Sequence, residues 1–270
     1  KEKITMKIVA CIKYSLDVSE IKVDPETEAL SLAGVPKKVG NIDQNILEAA
    51  VSLSEAYGGT VHAITFGPAS AKESFRGALA MGVEDVTLIE DPLDGQGGPA
   101  VTATVLSASI EKMGDVDIVL CGEVSDDGFT YQVPPRLAER LSLPQISFAR
   151  QITVEDEKVI VERELEDGSQ TVSAQLPVLI SVTEETNTPR RPTLMDAMKA
   201  KKKPVHLWQV EEDLSLSKDV LAQKSGLEKV GTKGIVVSRK QQMLKGDNMD
   251  ELAGQLVDLL IQENILEGGN

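Results

Sequence analysis

Ile118-Val119-Leu120-Cys121 is apolar at four successive positions and runs into Gly122-Glu123-Val124-Ser125-Asp126-Asp127-Gly128-Phe129-Thr130-Tyr131-Gln132, after which Gln132 to Leu141 reads as a helix. A strand apolar on both faces belongs inside a parallel sheet with helices on each side. Lys7 to Lys13, Val61 to Phe66 and Val86 to Ile89 read as further short strands, with helical spacings between them. Asp43 reads as an N-cap, with Ile46, Leu47, Ala50, Val51, Ser54 and Tyr57 on one face and Gly58-Gly59 as the stop. Ser70 to Met81 and Pro99 to Met113 are the next helices, the second with a proline near its first turn and Gly114 at its end. This alternation predicts right-handed crossovers and an α/β fold: a parallel-core twisted sheet with helices on both faces.

After Pro144 the period changes to two. Gln145 to Val154, Lys158 to Glu164, Gln170 to Gln175 and Val178 to Val182 read as antiparallel strands, added to an edge of the sheet or packed beside it. Ile21-Lys22-Val23 and Leu30-Ser31-Leu32 flank Asp24-Pro25-Glu26-Thr27 as a hairpin. Thr186 to Pro204 reads as a loop with a short basic helix. The remainder, Val205 to Asn270, holds weak segments and one better helix, Met249 to Glu263.

Charge then removes whole classes of function. Among 270 residues, 28 basic against 43 acidic side chains leave a net charge of −15, which opposes nucleic acid and anionic membrane surfaces. Aromatic residues are only 3%, too few for a single-strand stacking platform. Cys11 and Cys121 sit in separate apolar runs without a CxxC spacing, which suits a reduced, cytoplasmic compartment. No apolar run approaches the ~20 residues of a bilayer span, so the chain reads as soluble and not as an integral membrane protein. A transit peptide removed earlier would leave the same sequence.

Open sheets bind ligands beyond the carboxyl ends of their strands, which makes the loop after Cys121 the expected site. Its glycines allow close backbone approach and the following helix would offer N–H groups, so the expected ligand carries a phosphate; a plain strand-to-helix turn is the alternative. A metal site on Asp17, Asp126 and Asp127, as in a magnesium-dependent phosphate-ester enzyme, is a further reading. His62 and His206 have no recognisable nucleophile partner. Arg190, Arg191, Lys199, Lys201, Lys202 and Lys203 form a basic run interrupted only by Asp196. A solvated helix face would explain the charges, but Leu194 and Met195 beside them are apolar with no evident periodic partner, which suits a protein-docking element.

Two longer motifs carry a resemblance. Val161-Glu162-Arg163-Glu164-Leu165-Glu166-Asp167-Gly168-Ser169-Gln170-Thr171-Val172, followed by Pro177-Val178-Leu179-Ile180-Ser181, resembles the signature of electron transfer flavoprotein beta subunits. Asn187-Thr188-Pro189-Arg190-Arg191-Pro192-Thr193-Leu194, with Met198-Lys199-Ala200-Lys201-Lys202-Lys203, resembles that family's recognition loop. Ile8 to Lys13, Asp43-Gln44-Asn45 with Leu47-Glu48-Ala49-Ala50, and Gly67-Pro68 with Ala78-Leu79-Ala80-Met81-Gly82 agree in order.

The resemblance implies an adenine nucleotide alpha hydrolase-like domain over 1–204, with its recognition loop at 184–204. An arm over 205–270 would pack on an FAD-carrying alpha subunit. It further implies a heterodimer that shuttles electrons between a dehydrogenase, of acyl-CoA or similar type, and a downstream acceptor, with a structural AMP or a second FAD in this subunit. The nucleotide would contact Cys11, Gly40, Asn41, Ile42, Asp43, Phe66, and the loop of Gly122, Glu123, Val124, Ser125, Asp126, Asp127, Gly128, Phe129, Thr130, Gln132 and Val133. Leu194, with Arg190, Arg191 and Lys199, would dock the dehydrogenase through the 187–203 loop. No side chain is expected to act as a catalytic acid, base or nucleophile.

The chain also departs from the family pattern. Gly40-Asn41 stands where Asn-Pro is usual, Glu123-Val124-Ser125-Asp126 where Lys-Gln-Ala-Ile is usual, and Phe129 and Pro134 where Asp and Gly are usual. The lost lysine and gained carboxylates make the loop less welcoming to phosphate. Asp127-Gly128, Thr130, Gln132-Val133 and the hairpin at Ile21-Lys22-Val23-Asp24-Pro25 resemble the electron-bifurcating type, which favours FAD over AMP and with it oxidation of NADH. The rival from another class is a stress-protein-like regulatory module binding ATP or AMP.

Overall fold

The computed structural model describes residues 6–224, 230–236 and 239–266. Its strands are β1 (Met6–Cys11), β2 (Tyr14–Leu16), β3 (Lys22–Val23), β4 (Leu30–Ser31), β5 (Lys37–Val39), β6 (Gly59–Gly67), β7 (Asp85–Glu90), β8 (Ile118–Gly122), β9 (Gln145–Glu155), β10 (Lys158–Leu165), β11 (Gly168–Gln175), β12 (Val178–Val182) and β13 (Val205–Gln209). The α-helices are α1 (Asn41–Tyr57), α2 (Arg76–Met81), α3 (Gly98–Met113), α4 (Val133–Leu141), α5 (Leu194–Ala200), α6 (Val210–Leu214), α7 (Lys218–Lys224) and α8 (Met249–Gln262). Nine strands form one sheet in the order β11-β10-β9-β12-β8-β1-β6-β7-β13.

Alternation along each central strand sorts its side chains onto two faces. Ile8, Ala10, Ile118 and Leu120 belong to the core that includes Ile46, Leu47 and Ala50 of α1. Val9, Cys11, Val119 and Cys121 belong to the other core, with Val101 and Val105 of α3 and Leu137 of α4. This two-faced burial is why these strands read as unbroken apolar runs. From β1 the chain winds outward through β6 and β7, then returns to the opposite side of β1 as β8, parallel to it with Ala10 opposite Leu120. The strand order therefore reverses between β1 and β8, the place where open sheets form a crevice.

Four elements differ from the sequence expectation. Val178–Val182 is not part of an antiparallel addition: β12 pairs parallel with both β8 and β9, and all five of its residues are buried. Within the nine-stranded sheet, among the described residues, only β9, β10 and β11 pair antiparallel. Val205–Gln209, within the stretch expected to form an arm, is the edge strand parallel to β7, and Val210 and Leu221 after it are buried beside α3. Asp43 is not the N-cap of its helix. Gly40 occupies that position, and Asp43 lies buried in the first turn. The helix expected over Ser70 to Met81 begins as a 3-10 helix, Ala69–Phe75, before α2.

Val23–Ala29 and the residues after Lys233 form a second compact unit. In it, Asp24 Oδ1 accepts the Glu26 and Thr27 N–H groups at 3.0 and 2.8 Å, an Asx-type turn. Lys233 Nζ reaches Glu28 at 3.0 Å. Helix α8 is capped by Asn248, which accepts the Glu251 N–H at 2.9 Å.

Candidate functional site

At the switch point the ends of β1 and β8 open into a cavity of about 570 Å³. Of the expected residues, Cys11, Asp43, Phe66, Gly122, Glu123, Val124, Ser125, Asp127, Gly128, Thr130, Gln132 and Val133 line it. Gly40, Asn41, Ile42, Asp126 and Phe129 do not line it, and most of them stand one layer behind. Asp126 Oδ2 accepts the Asn41 N–H at 2.8 Å, so its charge caps α1 and does not face the cavity. A Cβ on Gly122 would fall 2.6 Å from Ile42 Cγ2 and 2.8 Å from the Val124 carbonyl, so the turn closes only with glycine there.

The loop is held at its base by charge. Lys13 Nζ meets Asp127 at 2.5 Å and Ser125 at 3.3 Å, and Ser125 Oγ donates to Asp127 at 3.0 Å. Asp43 Oδ1 accepts the Lys13 backbone N–H at 2.8 Å, while its Oδ2 is buried without a hydrogen-bond partner. Burial, with the Asp126 carboxylate adding to it, raises the Asp43 pKa to about 7. The Cys11 thiol is held well above its usual value by its hydrogen bond with Cys121 and by burial, so Cys11 is an inert wall, with Cys121 buried beside it. Burial, then Glu185 and Glu184, pushes Glu123 up as well, which reduces its opposition to an anion.

The helix after the loop offers less than the sequence reading assumed. Residues 134 and 135, the second and third of α4, are prolines and carry no N–H. A second helix compensates. Gly97, Gly98, Pro99 and Thr102 at the start of α3 also line the cavity, and α3 has no side-chain cap. The signal for it in the sequence is Gly95-Gln96-Gly97-Gly98-Pro99, a glycine cluster opening a helix after β7. Lys13 and Lys37 are the cationic side chains of the lining.

The carboxylates of the metal reading are engaged elsewhere. Asp17 takes Ser19 and Lys38, Asp126 takes the Asn41 N–H, and Asp127 takes Lys13 and Ser125. Among the described residues no three potential ligands are grouped for a metal. His62 Nδ1 sits 2.9 Å from Asp85 on the neighbouring strand, and neither histidine lines the cavity.

The segment expected to dock a partner is fixed at its base and bare at its tip. Asn45 Nδ2 donates to the carbonyls of Glu184 and Asn187 at 3.1 and 2.8 Å, and Asn187 Nδ2 returns a bond to Asn45 O at 3.0 Å. Arg190 bonds Glu48 through Nε and Nη2 at 2.8 and 3.0 Å, and Glu55 through Nη1 and Nη2 at 2.7 and 2.9 Å. Its guanidinium is thus committed within the chain, unlike the docking charge expected of it. Arg191 and Lys199 remain exposed. Thr193 caps α5 by accepting the Asp196 N–H at 3.2 Å, which sets Leu194 at the first helical position, 81% exposed, beside exposed Met195 and Met198.

Sheet, cavity and loop define a doubly wound α/β domain with a ligand-sized cavity at its switch point and a rigidly based apolar projection. The model of the electron transfer flavoprotein domain matches residues 29–213, and the chain belongs to that family. It is similar to the caffeyl-CoA reductase-Etf complex subunit CarD of Acetobacterium woodii, 34% identical over 263 residues, covering 97% of this chain and 100% of that protein. The electron transfer flavoprotein subunit beta of Thermoanaerobacterium thermosaccharolyticum is 34% identical over 261 residues, again 97% and 100%. Protein FixA of Azorhizobium caulinodans is 36% identical over 214 residues, 77% of this chain and 76% of that protein. The beta-subunit resemblance seen in the motifs is borne out, electron transfer is the function, and the regulatory-module reading is not favoured. Membership implies association with a flavin or adenine nucleotide. No helix among the described residues is long and apolar enough to cross a membrane.

Proposed function

We propose that this chain is the beta half of a cytoplasmic electron-carrying heterodimer, holds FAD in the cavity at the ends of β1 and β8, and docks a dehydrogenase of the acyl-CoA type through Leu194. The observation that carries the reading is that one helix, α1, anchors both the cavity loop, through Asn41 and Asp126, and the loop that presents Leu194, through Asn45, Glu48 and Glu55. A ligand and a docking partner are thereby held in fixed relation.

The cavity residues fit such a nucleotide. Gly122, Gly97 and Gly98 put backbone on the lining, α3 brings an uncapped amino end, and Thr130, Lys13 and Lys37 supply donors. The bound flavin supplies the electron chemistry, and the chain binds, orients and shields it. With FAD in place the subunit would oxidise NADH and serve bifurcation; with AMP its role would be structural. Similarity to a subunit of a caffeyl-CoA reductase-Etf complex supports an acyl-CoA partner.

Helix α8 has no buried residue and exposes Met249, Leu256 and Val257, a face suited to covering by the alpha subunit. The test is nucleotide content. The chain is co-purified with its alpha partner, denatured, and the released FAD and AMP are counted. Two FAD per heterodimer are expected, and one FAD with one AMP would overturn the cofactor assignment.

A further inference from the structure

The chain has one Trp, three Tyr and four Phe, and three of these eight rings gather at the mouth of the cavity. Phe129 and Tyr131 lie with centroids 5.5 Å apart at 89°, and Tyr131 and Phe148 lie 6.3 Å apart at 49°. Tyr131 itself lines the cavity, as does Thr130 before it. Phe129 and Tyr131 are 63% and 44% exposed, a costly position for aromatic rings on a chain so poor in them.

The backbone is bent to put them there. Phe129, Tyr131 and Phe148 have φ of 47°, 57° and 58°, left-handed conformations that bulky residues rarely adopt and that cost roughly 1 kcal/mol or more each. Phe148 reaches the group through an irregularity in β9. The register with β12 shifts between Ile146 and Ala149, and the Phe148 N–H turns to Ser181 Oγ at 3.4 Å. Bulges of this kind re-aim a side chain. Two separate elements, a loop and a bulged strand, are thus both strained so that three rings converge on one side of the cavity.

We infer that Tyr131 is the residue against which the isoalloxazine ring of the bound flavin rests, with Phe129 and Phe148 as positioning residues that hold Tyr131 in place. The inference rests on the FAD reading above. The cluster is continuous with the cavity through Tyr131, which favours a bound planar ligand over a protein surface. It lies at the exposed mouth, where a ring that exchanges electrons with an outside partner has to be reached. Aromatic pairs of this geometry contribute beyond the area they bury, so a third ring added to the cluster is stabilised and oriented.

The test uses the nucleotide-depleted heterodimer, titrated calorimetrically with FAD beyond the alpha subunit's equivalent and separately with AMP. Tyr131→Ala is expected to weaken FAD at least tenfold and AMP less than twofold, with the visible circular-dichroism band of the bound flavin altered. Tyr131→Phe should behave as the wild type. Phe129→Ala should change the same dichroism band with a smaller loss of affinity. Equal weakening of FAD and AMP would place adenine, not flavin, on Tyr131 and overturn the inference. Unchanged FAD affinity in Tyr131→Ala would overturn it while leaving the cofactor reading intact. A wild type that takes AMP and no second FAD would sink the cofactor reading itself, and the inference with it.

Discussion

At its amino end α1 meets the cavity loop through Asp126, whose Oδ2 accepts the Asn41 N–H. One to four turns further on, Asn45, Glu48 and Glu55 meet the segment 184–190 through Asn187 and Arg190. The two anchorages use opposite electrostatics. The first brings together like charges, Asp43 and Asp126, held by a helix amino end and by Lys13. The second sets two carboxylates on one guanidinium. The cavity side is consequently soft to pH near neutrality, while the docking side is firm there and yields only in acid.

The largest expected effect tests the first anchorage. The Asp43 pKa is raised to about 7 from 3.8, so the folded chain holds this proton more tightly than the unfolded one. Its contribution is therefore full below about pH 4 and lost as pH rises towards 7, a swing of roughly 4 kcal/mol at most. Asp43→Asn keeps an oxygen for the Lys13 N–H and removes the charge. Urea midpoints from pH 4 to 8 should fall for the wild type and stay nearly level for the variant. Parallel curves would show that Asp43 is ionised throughout.

Next is the second anchorage. Burial works to raise the Glu48 pKa, but the hydrogen bonds from Arg190 and Ser52 outweigh it and hold the carboxyl below its usual range. Its stabilisation is present at neutral pH and lost as pH falls through that lowered pKa. Arg190→Met leaves buried Glu48 without its counter-charge, with only the Ser52 hydroxyl and the backbone N–H at 190 to bond it, and should cost about 2–3 kcal/mol at pH 7, with protease cleavage appearing within 187–193. Urea denaturation within about 0.5 kcal/mol of wild type would show the loop is held by Asn45 and Asn187 alone.

Leu194→Ala probes the tip instead of the base. Among the described residues Leu194 is left exposed, so unfolding should shift by less than about 0.5 kcal/mol. Docking should lose about 2 kcal/mol, or roughly thirtyfold in affinity for the dehydrogenase. Electron transfer unchanged at intact flavin content would remove Leu194 from the docking role.

Much of this contrast was out of reach of periodicity. The apolar runs of β1, β8 and the helical face of α1 were legible because burial on two faces leaves a pattern in the residues themselves. Val178–Val182 has the same pattern, Val-Leu-Ile-Ser-Val, but follows strands that alternate, so periodicity along the segment groups it with them although it pairs parallel in the sheet. The cavity loop was legible from its glycines and its place after the central strand. The roles of Asn45, Glu48 and Arg190 were not, since nothing local ties residues more than a hundred positions apart. Asp126 looked like a charge in the ligand space, and only the fold shows it turned to a helix end.

The smallest effect bears on the cavity loop alone and has two signs. Phe129 sits at φ 47°, where glycine is free of the Cβ clash that a phenylalanine suffers. Its ring is largely exposed and recovers little of that cost by burial. Phe129→Gly should therefore leave the ligand-free chain as stable or up to about 1 kcal/mol more stable, the relief of strain being partly offset by the wider freedom of glycine when unfolded. The same change removes the ring that meets Tyr131 edge-on, so FAD affinity should fall while stability rises. No such opposition is expected at Arg190, where stability and loop order fall together. A Phe129→Gly variant that loses stability as well would mean that the left-handed turn is held by the ring's own packing and is not strain kept for a ligand.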